Sequence, residues 1–226
     1  MNKNKKSKKS PNNWQTAAAV AFVAAFLYSS WPLGYYLNPS VSAHGLASEL
    51  AARGQPYNWL FMALDVISGL LVVVVAWLIW RSHKKLPVWW LKPVLAGFAL
   101  FGVFTAFDAL LPMHCTPSLR QCPSLGHDHL LILHGVASIS AAVFLFLTAF
   151  AMWQISQLTK GRNLMGLVMI AWILFGFMSL VFFFVPGPGY LAQHYFITLC
   201  SVWMVLLPYV ISRCLATAPI ELRSSH

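Results

Sequence analysis

From Tyr57 to Trp80 the chain reads YNWLFMALDVISGLLVVVVAWLIW, 24 residues with Asp65 as the one side chain charged at neutral pH. At 1.5 Å of rise per residue, a helix of that length reaches about 36 Å, enough to cross a hydrocarbon layer of about 30 Å. The run is continuously apolar and does not alternate over about ten residues, so it does not read as a strand of a membrane barrel. The fold therefore starts from a membrane-spanning helix that carries a carboxylate.

Five further runs have the same character: Trp14 to Leu37, Val88 to Leu111, His129 to Ile155, Leu164 to Val185 and His194 to Leu215. Together they predict an all-α fold, a polytopic membrane helical bundle of six transmembrane helices over residues 14–215, with tails at 1–13 and 216–226. Composition agrees. Of 226 residues, 59% are hydrophobic and 9% charged, whereas soluble domains run near 45–50% and 25%.

The formal charge of +10 does not indicate nucleic-acid binding, because the basic residues sit in short clusters beside apolar runs, as topology signals do. An inside amino terminus places Lys3, Lys5, Lys6, Lys8, Lys9, Arg81, Lys84, Lys85, Lys92, Lys160, Arg162, Arg213 and Arg223 on the cytoplasmic side. Only Arg53 and Arg120 are left outside. Both termini are thus expected in the cytoplasm, with the bundle in the inner membrane. The polar Lys-rich tail reads as disordered, with attraction to anionic headgroups as a second role. The apolar stretch after it exceeds the roughly 7–15 residues of a signal-peptide core, so it is expected to be retained as the first helix.

This orientation turns three loops outward, at 38–56, 112–128 and 186–193. Ala47 to Ala52 has a short amphipathic pattern suited to the interface. Cys115 and Cys122 share the second loop, where an extracytoplasmic disulfide is expected; a metal-binding or redox-active thiol pair beside His114 is the alternative. Cys200 and Cys214 read as packing thiols. The tryptophans near helix ends form an aromatic belt.

The chemistry gathers near the outer edge. An ionisable group inside a span costs roughly 2.5–3.5 kcal/mol on insertion scales and is a functional-site hypothesis by default. Asp65 lies about 12 Å below that edge by helical rise, Asp108 about one turn below it, His134 a little over one turn into the fourth run and His194 at the mouth of the sixth. His44, Glu49, His114, His127, Asp128 and His129 lie around them. His127, His134 and Ser138 are spaced by seven and four; Thr105 and Asp108, like Asp65 and Ser68, are three apart, so each helix offers a polar stripe.

Carboxylate plus imidazole suits a divalent metal, zinc first, with one position left for water. The expected ligands are Asp108, His134, His194 and His127, with Asp65 and Ser138 as catalytic groups. The plainer expectation is that Asp65 and Asp108 are partners in interhelical hydrogen bonds, His127 and His129 solvated residues at a helix start, His194 an interface anchor, and His44 and Glu49 decoration on an interfacial helix. Phosphate loops, nucleophile elbows and His-Glu-x-x-His runs are missing.

Two resemblances add to this. Ser48 to Trp59 (SELAARGQPYNW), then Asp65, then Phe107 to Cys115 (FDALLPMHC), then Cys122 and His127 to His134, resemble the bacterial multi-pass membrane family known as domain of unknown function 998. The likeness would cover about Trp14 to Cys214 and implies architecture and an outward polar cluster, but no reaction. Phe104 to Asp108 is similar to the Phe-x-x-x-Asp pattern of the alkaline ceramidase and progestin-receptor-like membrane hydrolases, which join a Ser, an Asp and three His around zinc. The chain departs from that pattern in lacking a His-x-x-x-His pair, in having six apolar runs rather than seven, and in placing His134 before Ser138. Three functions follow as expectations: a metal-dependent hydrolase or transferase acting on a membrane lipid, a proton-coupled transporter, and a non-catalytic assembly or partner-binding protein, with haem ligation by a histidine pair as a variant of the last.

Overall fold

The computed structural model describes residues 13–82, 90–119, 129–157, 162–184 and 189–217. Among these are six long helices: α1 (Asn13–Tyr28), α2 (Asn58–Ser82), α3 (Leu91–Ala109), α4 (His129–Ser156), α5 (Arg162–Phe184) and α6 (Gly189–Thr217), with no strand among the described residues. The all-helical expectation holds. Five stretches are long and apolar enough to cross a membrane, namely Trp14–Leu37, Asn58–Ser82, Leu91–Ala109, His129–Ser156 and Tyr190–Ala216, and the shorter Asn163–Phe175 within α5 is also apolar. Residues 1–12 and 218–226 of the predicted tails, and loop residues Arg120, Cys122, His127 and Asp128, lie outside the described residues, while Asn13 opens α1 and Ala216 and Thr217 close α6.

Each helix packs on the next, from α1 on α2 through α5 on α6, and α6 returns to α1, so the bundle closes into a ring. Small residues set its tightest seam. A Cβ built on Gly69 of α2 would overlap the Gly102 carbonyl oxygen of α3, and one built on Gly102 would overlap the Gly69 carbonyl oxygen. In lipid, where apolar side chains gain nothing by leaving the solvent, such close backbone approach is what drives helices together. Ser68, also on α2, donates to the Ala24 carbonyl of α1 at 2.9 Å, so it faces the neighbouring helix. Phe98, Phe101, Trp203 and Met204 fill the centre. Phe22, Trp77, Ile139 and Ile173 are each more than half exposed on the outside, a surface that suits lipid and not water.

The first apolar run differs from its expected form as one helix. Helix α1 stops at Tyr28, and after Ser29 and Ser30 the chain continues as a 3-10 turn at Trp31–Leu33 and a single helical turn at Gly34–Leu37. Pro32 explains the break, since its nitrogen cannot donate to the Tyr28 carbonyl four residues back and its ring would clash with that carbonyl. Helix α6 differs in the other direction. It begins at Gly189, five residues before the expected start, which puts His194 inside the helix and not at its mouth.

The described parts of the segments that join α1 to α2 and α3 to α4 are tied together at the end of the bundle where α2 begins and α3 finishes. Glu49, expected as surface decoration, is 2% exposed. Its carboxylate accepts from the Leu46 backbone N–H at 3.1 Å and from the Ser118 backbone N–H at 3.0 Å and hydroxyl at 2.5 Å. Arg53 N–H donates to the Met113 carbonyl at 2.9 Å, and the Gln55 amide donates to Thr116 Oγ1 at 2.7 Å. Val41, Leu50, Ala51 and Phe61 pack beneath this clasp as a second apolar cluster. The loops thus form a fixed cap and not a floating interfacial helix.

Candidate functional site

Beneath the cap lies a cavity of about 410 Å³. Every long helix of the ring contributes to it: Tyr28 from α1, Asp65 from α2, Thr105 and Asp108 from α3, Ser138 from α4, Phe175 from α5 and Gln193 from α6. The break after α1 adds Ser30 and Trp31, and the cap adds Ala47 and Ser48. The Gly69–Gly102 seam sets the spacing of the two carboxylates. Asp65 is four residues, about one turn, from Gly69, and Asp108 six residues from Gly102, so the distance between the glycine backbones fixes how close the two acids come.

The acids have different surroundings. Asp108 Oδ1 accepts from Ser138 Oγ at 2.8 Å and faces His134 Nδ1 at 3.0 Å, and the same imidazole nitrogen lies 3.3 Å from the Asp108 carbonyl oxygen. One carboxylate oxygen therefore binds α3 to two successive turns of α4. The helical phase read from the sequence, with His134 and Ser138 on one face, is what lets both reach it. Asp65 makes no hydrogen bond or ion pair with the described residues, although it lies within electrostatic reach of Asp108 and His134. Its carboxylate opens on the cavity. Thr105 Oγ1 is likewise without a partner, on a side chain that is 5% exposed and lines the cavity. A helical Thr ordinarily bonds a carbonyl one turn back; this one does not.

The expected ligand set is brought together only in part. Asp108 and His134 are hydrogen-bonded to each other instead of being spread around a shared centre, and no group of three His, Cys, Asp or Glu able to hold a metal ion occurs among the described residues. His194 stacks on Trp31, with ring centroids 4.1 Å apart and an interplanar angle of 11°, and meets Tyr190 edge-on. The residue before it, Gln193, faces the cavity and holds the cap through Ser48, accepting from its backbone N–H at 3.4 Å and donating to its hydroxyl at 3.3 Å. His44, His114 and His129 are exposed. His127 and Cys122 lie outside the described residues, and Cys115 is buried in the cap.

The sequence reading missed Tyr28, Trp31 and Gln193. A signal for the first two was present in Ser29-Ser30-Trp31-Pro32, a helix-ending pattern. Gln193 had none, since a lone uncharged amide in an apolar helix looks like any other.

The model of the family described as protein of unknown function (DUF998) matches residues 16–217. The chain belongs to the DUF998 family. No curated protein and no solved structure matches it, so the likeness to the ceramidase-type hydrolases gains no support. In this DUF998 protein the described stretches that carried the resemblance contribute to the cap and the cavity: Ser48 and Glu49 hold the loops, Asp65 and Asp108 line the cavity, and Met113 receives the bond from Arg53.

Proposed function

We propose that this protein is a six-span inner-membrane protein that binds a lipid or similar amphiphile from the outer leaflet in the capped cavity and acts on it by proton transfer, with Asp65 as the accepting group. The observation that carries the reading is the Asp65 carboxylate, which opens on a 410 Å³ cavity without a partner among the described residues, beside the Asp108, His134 and Ser138 network. A general base has to be within reach of its substrate and free of competing donors, and Asp65 lines the cavity and meets no donor among the described residues. Asp108 is the fixed wall of the site, because both of its contacts lock α3 to α4. The cavity volume falls in the roughly 300–1,000 Å³ range of small-molecule sites. Apolar residues along α5 support a sixth span, and the distribution of basic residues supports a cytoplasmic amino terminus.

Incubating purified protein with liposomes of mixed lipids, and following each species by mass spectrometry, tests the reading. Turnover of one class by the wild type is expected, with Asp65→Asn slower by about 100-fold or more. Equal turnover by the Asn variant removes Asp65 from the chemistry. Proton flux across the liposome without any lipid product moves the function to transport. Elemental analysis of the same sample reads the metal question directly: stoichiometric zinc would require a further donor beside Asp108 and His134, and His127 is the one to vary.

A further inference from the structure

The cavity's chemistry narrows what it can hold. The lining includes two carboxylates, Asp65 and Asp108, and no Lys or Arg among the described residues. Of the nearby described imidazoles, His134 is engaged by Asp108 and His194 is stacked on Trp31. An anionic headgroup would therefore meet Asp65 with no cation to offset it, and burying an unpaired charge there is strongly unfavourable. The walls above the acids are aromatic: Tyr28, Trp31, Phe61, Phe175 and Phe196. Carboxylate beside several aromatic faces is the combination that recognises an ammonium group, which gains both ion pairing and attraction to the ring faces. Thr105 supplies an independent sign of a missing partner, a hydroxyl on a side chain more than nine-tenths buried, lining the same space and bonded to nothing among the described residues. An ammonium N–H fits it as a donor.

Another part of the lining shows where the rest of such a molecule goes. Ile139 of α4 lines the cavity and is also 66% exposed on the lipid-facing surface of the bundle. A chain leaving the cavity past Ile139 and Ala142 passes directly into the membrane.

We infer that the cavity binds an ammonium-bearing amphiphile, with its cationic nitrogen between Asp65 and Thr105 and its apolar tail leaving past Ile139 into the bilayer. The inference rests on the proposed amphiphile site but not on any turnover there. Four probes at matched concentration test it by quenching of tryptophan fluorescence in wild-type protein held in neutral detergent: dodecylamine, dodecanol, dodecyl phosphate and free ethanolamine. Dodecylamine is expected to bind best, with affinity falling about tenfold or more for Asp65→Asn and by a smaller factor for Thr105→Val. Both variants keep the side-chain shape, and size-exclusion profiles identical to the wild type confirm their folding.

Equal binding of dodecanol or dodecyl phosphate, with no loss in either variant, overturns the ammonium assignment while leaving an amphiphile site in place. No binding by any probe overturns both. Ethanolamine binding as tightly as dodecylamine assigns the nitrogen correctly and overturns the lipid source in favour of a free amine.

Discussion

At Asp108 a single carboxylate oxygen receives the Ser138 hydroxyl and the His134 imidazole; at Asp65 the carboxylate receives nothing from the described residues. The contrast predicts opposite responses to the loss of each acid. Asp108→Ala strands two donors between α3 and α4, and interhelical bonds of this kind are worth about 0.6–2 kcal/mol in a bilayer; its thermal midpoint in detergent should fall measurably. Asp65→Asn removes a charge that lies near another carboxylate and has no bond to lose, so its midpoint should stay at the wild-type value or rise. A fall in the Asp65→Asn midpoint equal to that of Asp108→Ala would mean that Asp65 holds the bundle together as Asp108 does, and would take away the basis for treating it as the reactive group. Both carboxylates were legible in the sequence because an acid inside an apolar run is rare and expensive. Which of them was free was not legible, since it depends on which neighbours α4 turns toward α3.

Packing of α2 against α3 converts those residues into a site, and it runs through Gly69 and Gly102. Gly69→Ala should force the helices apart, at a cost of about 1–3 kcal/mol for overpacking, and with them Asp65 from Asp108 and Thr105. Gly135 is the matched control. It lies next to His134 in sequence and has nothing within 4 Å of where its Cβ would stand, so Gly135→Ala should be neutral or stabilise by about 0.5–1 kcal/mol through helix propensity. Thermal unfolding of the two variants side by side checks the pair; comparable losses would show that the seam is not what positions the acids. Helix existence was readable from runs of apolar residues, and α2 is found within two residues of its expected ends. Helix rotation was less so. His194 was assigned to the cavity by its depth at the mouth of the sixth run, yet adjacent positions on a helix differ by about 100°, and the structure turns Gln193 inward and His194 onto Trp31. Buried Glu49 was misread for a related reason, as its three donors come partly from a loop about seventy residues away.

Taken whole, the ring of six helices has its carboxylates, cap and cavity near one end, and the meaning of that asymmetry depends on which way the protein sits. The basic residues predict it. Arg81 closes α2 at the end opposite the cap, while of the fifteen basic residues only Arg53 and Arg120 fall on the capped side of the predicted topology; a bias of that size sets orientation when loops are short. The cap, and with it Asp65, should therefore face away from the cytoplasm. Cysteines introduced at exposed His44 and exposed Arg81 read this directly. A membrane-impermeant maleimide applied to intact cells should label His44→Cys above the wild-type background and leave Arg81→Cys unlabelled until the membrane is permeabilised. The reverse pattern would turn the cavity toward the cytoplasmic leaflet, whose anionic surface concentrates cationic amphiphiles; the ammonium chemistry of the pocket would survive, but its source would then be the inner leaflet.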